Sequence, residues 1–511
     1  MTHFEGRDFV SIDHFTTDEI LYLLDGAKKY KEMGKGAAGT LREKLGDRSV
    51  ALAFFEDSTR TRLSSERAAE ILDAHVFGFA GPEGTSLKKN ESIHHTLEML
   101  WQYGAEAIVM RNNWDGAAQY AADRFEIPII NAGDGKHEHP TQTVLDLFTI
   151  KETQGRLDNL KIAMVGDLKY GRTVHSLIKA MRRWEGNTFY LVNPPQLQMP
   201  SEYTTSQDGN ERGDVFTGLS LENVLNICDI VYVTRVQKER IEDERERKEV
   251  LGKLQINPPL LEQAKPKKNM KLLHPLPIDA DNPEIEKSVY RTNPQQAYFF
   301  QQAGNGIYAR MMILLSVFGL EGKDFSGKAY KTPERSDKNS FIELPISASA
   351  GKSDEERMIY SLHNGTVIDH IPDDRGYMLA QALQLDRLPV PTILARGLST
   401  KRNEMGRKSL IKMVNRALTP EELNTIGIIC PDSTVSIIIE GKVSQKYKVQ
   451  LPDVVAGLLQ CQNIGCVSNN PREDAPSRFY TLARSPAALL SCHYCDTLHA
   501  FNKGNIKLQP R

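Results

Sequence analysis

From about residue 48 the chain alternates short apolar runs, rich in β-branched and aromatic residues, with longer stretches of helical periodicity. SVALAFFE precedes a helix that opens after Ser58, AHVFGFAG precedes a helix around Leu97, and AEAIVMR and IPIINAG follow. Such alternation predicts an α/β lobe built on a parallel sheet. A second series, LKIAMVGD, TFYLVNP, DIVYVTRV and MKLLHPLP, each followed by polar or helical sequence, predicts a second lobe of the same kind. A helix from about Tyr298 to Leu320 closes this region. Its apolar run Met311 to Leu320 is broken by Ser316 and Gly319 and falls far short of the roughly 20 residues that span a bilayer, so it reads as a buried helix.

The stretch EGKDFSGKAYKTPERSDKNS is polar with few large aliphatic residues, the composition of a linker. Beyond it the pattern changes to short strands, GTVIDHIP, TVSIIIEG and KYKVQLP, separated by a helix after Gly406, which predicts a distinct α+β domain. From about Leu459 the sequence is loop-rich. The expected organisation is thus two doubly wound parallel-sheet lobes, 1–155 and 156–320, a linker 321–352, an α+β domain 353–455 and a small domain 456–511.

Length agrees: 511 residues exceed a single core and, at about 150 residues per domain, suggest three or four. With 40% hydrophobic and 25% charged residues the chain has the composition of an ordinary globular protein. A net charge of -2 gives no global attraction for nucleic acid or an anionic membrane, so an anion must be held locally. The start, MTHFEGRDFV, lacks the basic and apolar regions of a secretory signal, and a cytoplasmic protein is expected. Six cysteines occur, four of them in the last 51 residues, a pattern that suits a metal better than a disulfide scaffold.

Candidate chemistry begins at FFEDSTRTR, where a strand ends and a helix opens; Asp57, Ser58 and Thr59 are all good N-cap types. A helix N-terminus offers unpaired N–H groups and partial positive charge to phosphate. Arg60 and Arg62 add guanidinium groups, although a capped helix with surface arginines explains these residues equally well when they are taken alone. In DGKHEHPTQT, Pro140 fixes a turn from which His139 and Gln142 can face one pocket. There an imidazole N–H can polarise a carbonyl oxygen and the Gln142 amide can bond a planar NH2–C=O group. Arg111 ends the strand AIVMR.

STRT, HPTQ, GDLKYGRT, TRVQKER, HPLP and QQAGNGI, in this order over about residues 1 to 320, resemble the catalytic chains of the aspartate carbamoyltransferase family. The resemblance implies a carbamoyl phosphate lobe followed by an aspartate lobe. It further implies that Ser58, Thr59, Arg60 and Thr61 bind the phosphate of carbamoyl phosphate, that Arg111 bridges phosphate and carbonyl oxygen, and that His139 assists at that oxygen. Gln142 and the backbone around Pro275 and Leu276 would hold the carbamoyl NH2. An ornithine carbamoyltransferase shares the phosphate machinery. A dicarboxylate, however, calls for two guanidinium groups in bidentate reach, and Arg172 and Arg235, with Gln237 beside them, meet that need, while HPLP lacks the cysteine of ornithine enzymes. GTSLKKNES resembles the family's loop that enters a neighbouring subunit's active site, which implies a trimer, with Lys89 as the catalytic lysine and Ser86 or Thr85 as its partner. Glu56 is expected to meet Arg172 and Arg240 on closure, and Glu239 to orient Arg235. Asn90 stands where glycine is common in the family, and Ile278 where arginine is common.

Cys461 and Cys466 form C-x4-C, and Cys492 and Cys495 form C-x2-C: four thiolates from two loops, the set for a closed tetrahedral structural Zn2+. A nucleic-acid-binding zinc ribbon is the alternative, but basic residues here are few and scattered. GTVIDHIP, EMGRKSLIK and the cysteine spacing together resemble the family's regulatory chain over about residues 353 to 511. That resemblance implies a CTP or ATP site using Asp369, His370, Lys412 and Lys446.

Overall fold

Strands Ser49–Phe54 (β1), His75–Ala80 (β2), Ala107–Asn112 (β3) and Ile129–Asp134 (β4) pair in parallel in the order β2-β1-β3-β4. A second parallel sheet has the order β7-β6-β5-β8-β9, from Lys161–Gly166 (β5), Thr188–Val192 (β6), Asp214–Thr217 (β7), Ile230–Thr234 (β8) and Lys271–Leu273 (β9). Parallel neighbours need crossover connections, and helices on the faces bury the sheet on both sides, which is why β4 and β8 are buried at every position. In each sheet the strand order reverses once, between β1 and β3 and between β5 and β8. Ligands of open α/β sheets sit at the carboxyl ends of strands beside such a reversal.

This computed structural model describes residues 3–34, 44–83, 85–204, 214–238, 241, 243–245, 254–323, 325, 341–345, 361–399, 406–484 and 488–501. The chain divides into one unit of Met1–Thr332, Asn463–Ala475 and Tyr494–Thr497 and another of Pro333–Gln462, Pro476–His493 and Leu498–Arg511. Among the described residues no helix is long and apolar enough to cross a membrane.

In the first unit, helix α1 (Thr17–Met33) begins with a capping box in which Glu19 N–H donates to Thr16 Oγ1 and Thr16 N–H donates to Glu19 Oε2. Helices α2 (Thr59–Ile71), α3 (Ile93–Gln102), α4 (Pro140–Gln154) and α5 (Arg172–Met181) follow strands β1, β2, β4 and β5. The long apolar helix α6 (Phe299–Val317) packs on α1, α2 and α4. Its Ala309, Met312 and Leu314 belong to one buried cluster with Leu23, Leu52 and Leu145 of the first lobe and Ile162 and Leu177 of the second.

The second unit departs from expectation at two places. The segment after Gly406 is not helical: Arg407–Val414 is a strand, β13, paired on both sides, with Ile411 and Met413 in the core, and a helix appears only at Pro420–Ile429 (α8), after Gly376–Ala382 (α7). Phe341–Glu343, counted with the linker, is strand β10; it pairs with Tyr447–Val449, and the ring of Phe341 meets that of Tyr447 at 5.2 Å. The six-stranded sheet has the order β10-β15-β14-β11-β13-β12, with β11 Gly365–Pro372, β12 Thr392–Ser399, β14 Thr434–Ile439 and β15 Lys442–Val449. The loop-rich final stretch contains a four-stranded antiparallel sheet, Val454–Ala456, Arg478–Ala483, Ala488–Cys492 and Leu498–Phe501.

Asp146 of α4 is buried where the lobes meet and accepts hydrogen bonds from Gln142 Nε2 at 3.0 Å, Gln302 Nε2 at 2.6 Å and Tyr232 Oη at 2.8 Å. Burial outweighs these neutral donors and raises its pKa to about 7. The folded chain therefore keeps this proton to about pH 7, while the unfolded chain releases it near 3.8. Its contribution to stability is full at low pH and is lost as pH rises through the folded value. Asp146→Asn, which preserves the shape, should remove this dependence. Between about pH 5 and pH 8 the unmodified chain should lose about 3 kcal/mol more stability than the variant. Urea unfolding followed by tryptophan fluorescence reads this, because Trp101, Trp114 and Trp184 all lie in the first unit; parallel pH curves would mean that Asp146 is ionised in the fold.

Candidate active site and metal centre

The carboxyl ends of β1, β3, β5 and β8, and the segments after β1, β5 and β8, meet at one pocket of about 970 Å³ in the first unit. Ser58, Thr59, Arg60, Thr61, Arg111, His139, Gln142, Arg172, Arg235, Gln237, Pro275 and Leu276 all line it. Ser58 is the N-cap of α2, but no side chain caps this helix, which leaves the N–H groups of its first turn open to the pocket. Ser86 and Lys89 do not line the pocket; they lie in an exposed 3-10 turn, Ser86–Lys89. Glu239 and Arg240 fall outside the described residues.

The pocket is strongly cationic. Arg60, Arg67, Arg111, Arg172, Arg235 and Arg310 face Glu56 and Asp57. Glu56 Oε2 lies 3.4 Å from Arg111 Nε and 3.1 Å from Arg172 Nη1, so one carboxylate joins a first-lobe and a second-lobe guanidinium. Arg172 also donates to Gly135 O at 2.7 Å. Gly133 lies at φ +113°, and a Cβ there would come within 3.0 Å of Arg172 Nε and 3.3 Å of His139 Cδ2; the absent side chain makes room for both.

His139 is buried, and desolvation, followed by the charges of Arg172, Arg111 and Arg310, holds its pKa well below the usual histidine range. The ring is therefore neutral and carries one N–H and one lone pair. Its nitrogens lie 3.5 Å from Thr61 Oγ1 and 3.3 Å from Thr141 Oγ1. Because Gln142 Nε2 is committed to Asp146, its amide oxygen remains to accept from a ligand NH2.

Arg310 and His274 also line the pocket without having been singled out from the sequence. Burial lowers Arg310 to about 10, and its Nε has no hydrogen-bond partner. An arginine directly before the apolar run Met311 to Leu320, within the expected buried helix, was the available signal. Burial and the charges of Arg60 and Arg235 take His274 down to about 3.

In the six-stranded sheet, Lys412, Val367, Ser436 and Lys446 stand directly opposite one another across β13, β11, β14 and β15. Lys412 and Lys446 therefore share a face with Asp369, two positions along β11, opposite the face that buries Ile368, Ile411 and Val435. His370 bonds Thr434 Oγ1 at 2.8 Å, and Lys408, unnoticed in the sequence, pairs with Asp369 at 2.6 Å.

Cys461, Cys466, Cys492 and Cys495 are all buried, with ligand atoms within 4.8 Å of one another. Four soft thiolates and no oxygen donor suit a tetrahedral structural ion at about 2.3 Å per bond.

Four family models match the chain. They describe the carbamoyl-P binding domain (residues 7–152) and the Asp/Orn binding domain (158–317) of aspartate/ornithine carbamoyltransferase, and the allosteric domain (357–450) and metal binding domain (453–504) of the aspartate carbamoyltransferase regulatory chain. The aspartate carbamoyltransferase catalytic subunit of Bacteroides thetaiotaomicron is 43% identical over 321 residues, covering 63% of this chain and 97% of that one. The corresponding subunit of Phocaeicola vulgatus is 43% identical over 330 residues, covering 64% and 100%. Among solved structures, aspartate transcarbamoylase from Trypanosoma cruzi in complex with carbamoyl phosphate and aspartate superposes with a TM-score of 0.57 at 32% identity, covering 62% of this chain and 98% of that one. The catalytic subunit from M. jannaschii gives 0.53 at 37% identity, covering 61% and 97%.

The cationic pocket should hold inorganic phosphate at the open end of α2. Arg111→Ala should weaken calorimetrically measured phosphate binding about tenfold or more, since a hydrogen bond to a charged group contributes about 1.5–3 kcal/mol. Undiminished affinity would place the phosphate elsewhere.

Proposed function

We infer that this chain, which belongs to the aspartate carbamoyltransferase family, makes N-carbamoyl-L-aspartate and phosphate from carbamoyl phosphate and L-aspartate, an early step of de novo pyrimidine synthesis, with a regulatory module in the same polypeptide. The observation that carries this reading is the single pocket in which six arginines from both lobes surround a neutral His139.

The roles follow from the chemistry. The first turn of α2, from Ser58 to Thr61, and Arg111 receive the phosphate. Arg111, Thr61 and the His139 N–H donate to the carbonyl oxygen, while Gln142 and the backbone at Pro275 and Leu276 accept from the carbamoyl NH2. Arg172 and Arg235, with Gln237, take the two carboxylates of aspartate. Its neutral amine attacks the carbamoyl carbon, the carbonyl oxygen becomes a tetrahedral oxyanion near Thr61, Arg111 and His139, and as the carbonyl re-forms the bond from carbon to the phosphate oxygen breaks, phosphate leaving with the bonding electrons and taking up the amine proton. Holding both substrates in attack geometry lowers the barrier by about 7–11 kcal/mol. Ornithine, whose side chain is a cation, would meet a wall of guanidinium groups here.

Ser86 and Lys89 act in a neighbouring copy's pocket, and the working form is a homotrimer or a multiple of it in the cytoplasm. The exposure of these two residues and their absence from their own pocket support this reading. The four cysteines hold one Zn2+, which folds its domain and, with every position taken by sulfur, has none open for substrate. The sheet face carrying Asp369, Lys412 and Lys446, together with His370, binds CTP or ATP, the two lysines pairing with the phosphates and Asp369 and His370 meeting the base or ribose.

Phosphate release from carbamoyl phosphate should depend on aspartate and not on ornithine; ornithine preference would overturn the assignment of Arg172 and Arg235. His139→Ala should lower kcat about a hundredfold while each KM changes only a few-fold, the expected loss of one oxyanion donor, and unchanged turnover would remove His139 from this role. Lys412→Ala should weaken CTP and ATP binding about tenfold by calorimetry, whereas equal affinity would refute the site.

A further inference from the structure

Away from the pocket, seven charged groups of the first unit converge. Lys179 of α5 lies 3.1 Å from Asp13, 3.0 Å from Glu138 and 2.8 Å from Asp496. His137 bridges Asp134 and Asp496, at 3.1 Å to each, and Arg183 pairs with Asp13 at 2.8 Å. His137, Glu138 and Asp496 alone would resemble a cation site. The Lys179 ammonium already supplies the positive charge between two of the three, so the cluster is an internal ion-pair network.

Its two lobes meet at Asp496, the residue after the last cysteine. His137 belongs to the first lobe and stands two residues before His139. Lys179 belongs to the second and lies on the helix whose first residue is Arg172. The network continues to the pocket: Glu138 accepts from Ser176 Oγ at 3.0 Å, and Ser176 Oγ accepts from the backbone N–H of His139 at 3.0 Å. Glu138 is further held by Ser11 Oγ at 2.6 Å and the Ile12 N–H at 3.2 Å.

We propose that Asp496 is a positioning residue for carbamoyl transfer, which by gripping His137 and Lys179 together sets His139 and Arg172 at the separation that aspartate requires. This rests on the carbamoyltransferase reading of the pocket. The phosphate and carbonyl groups are held mainly from the first lobe, whereas aspartate needs the second lobe brought to the first. Losing the grip therefore acts on one substrate more than on the other.

The test uses the full-length, metal-loaded chain. Asp496→Asn should raise KM for aspartate about fivefold or more and leave KM for carbamoyl phosphate within about twofold. Lys179→Gln, which leaves the residues around the cysteines unchanged, should do the same even if the first variant sheds metal, and the double variant should be no worse than the weaker single. Asp496→Glu, which keeps the charge, should recover part of the loss. An active unmodified chain whose two variants keep their aspartate KM, or raise both KM values equally, overturns the role of Asp496 alone. An unmodified chain that transfers nothing to aspartate overturns the function as well.

Discussion

Glu56 is the point on which the pocket turns. Six guanidinium groups in a partly closed cavity repel one another, and desolvation makes each of them more costly. One carboxylate shared by Arg111 and Arg172 offsets part of this and, because the two arginines come from different lobes, draws the lobes together. Positive charge still predominates among the residues that line the pocket. Anionic substrates bring further negative charge to this pocket, so their binding and its charge neutralisation go together.

The same field decides the state of His139. In water an imidazole is half protonated near pH 6.5, but burial and three neighbouring arginines depress it well below that. A neutral ring can donate to a developing oxyanion without adding a seventh positive charge to the cavity. At low pH the unfolded chain would take up a proton that the folded site refuses, so the stability tied to His139 is lost as pH falls below the unfolded value. Gln142 is governed similarly, since the carboxyl group of Asp146 behind it dictates which end of the amide faces the ligand.

Much of this was legible in the sequence because the chemistry sits at strand ends. β1, β3, β5 and β8 are short apolar runs, and residues at or beyond their carboxyl ends, Ser58, Arg111, Arg172 and Arg235, emerge at the carboxyl edges of two parallel sheets. Arg310 and His274 were harder to see: their place in the pocket depends on how α6 and the turn after β9 return to the first lobe. RKSLIKMV reads equally as helix or strand over eight residues, and only pairing with β11 and β12 decides it. Phe341 was hidden by its polar surroundings, for a three-residue edge strand has too little periodicity to detect.

Carboxylates of the first unit whose ionisation is shifted divide according to their partners. Asp8 and Asp146, met mainly by neutral donors, are both raised to about 7. Asp134, which is buried, and Asp13, which is partly exposed, are both lowered although desolvation opposes it, because Lys179 and Arg183 face Asp13 and His137 faces Asp134. At Asp8 and Asp146 the neutral hydrogen bonds do not offset the lost solvation, whereas at Asp13 and Asp134 an added opposite charge does. The two classes act oppositely on stability: the raised group loses its contribution as pH rises towards 7, and the lowered group loses its contribution as pH falls through its depressed value. The lowered class lies where the lobes are joined by ions, beside Glu138 and Ser176. Asp13 and Asp134, which anchor that junction, are thus carboxylates that keep their charge throughout the neutral range, where carbamoyl transfer must operate.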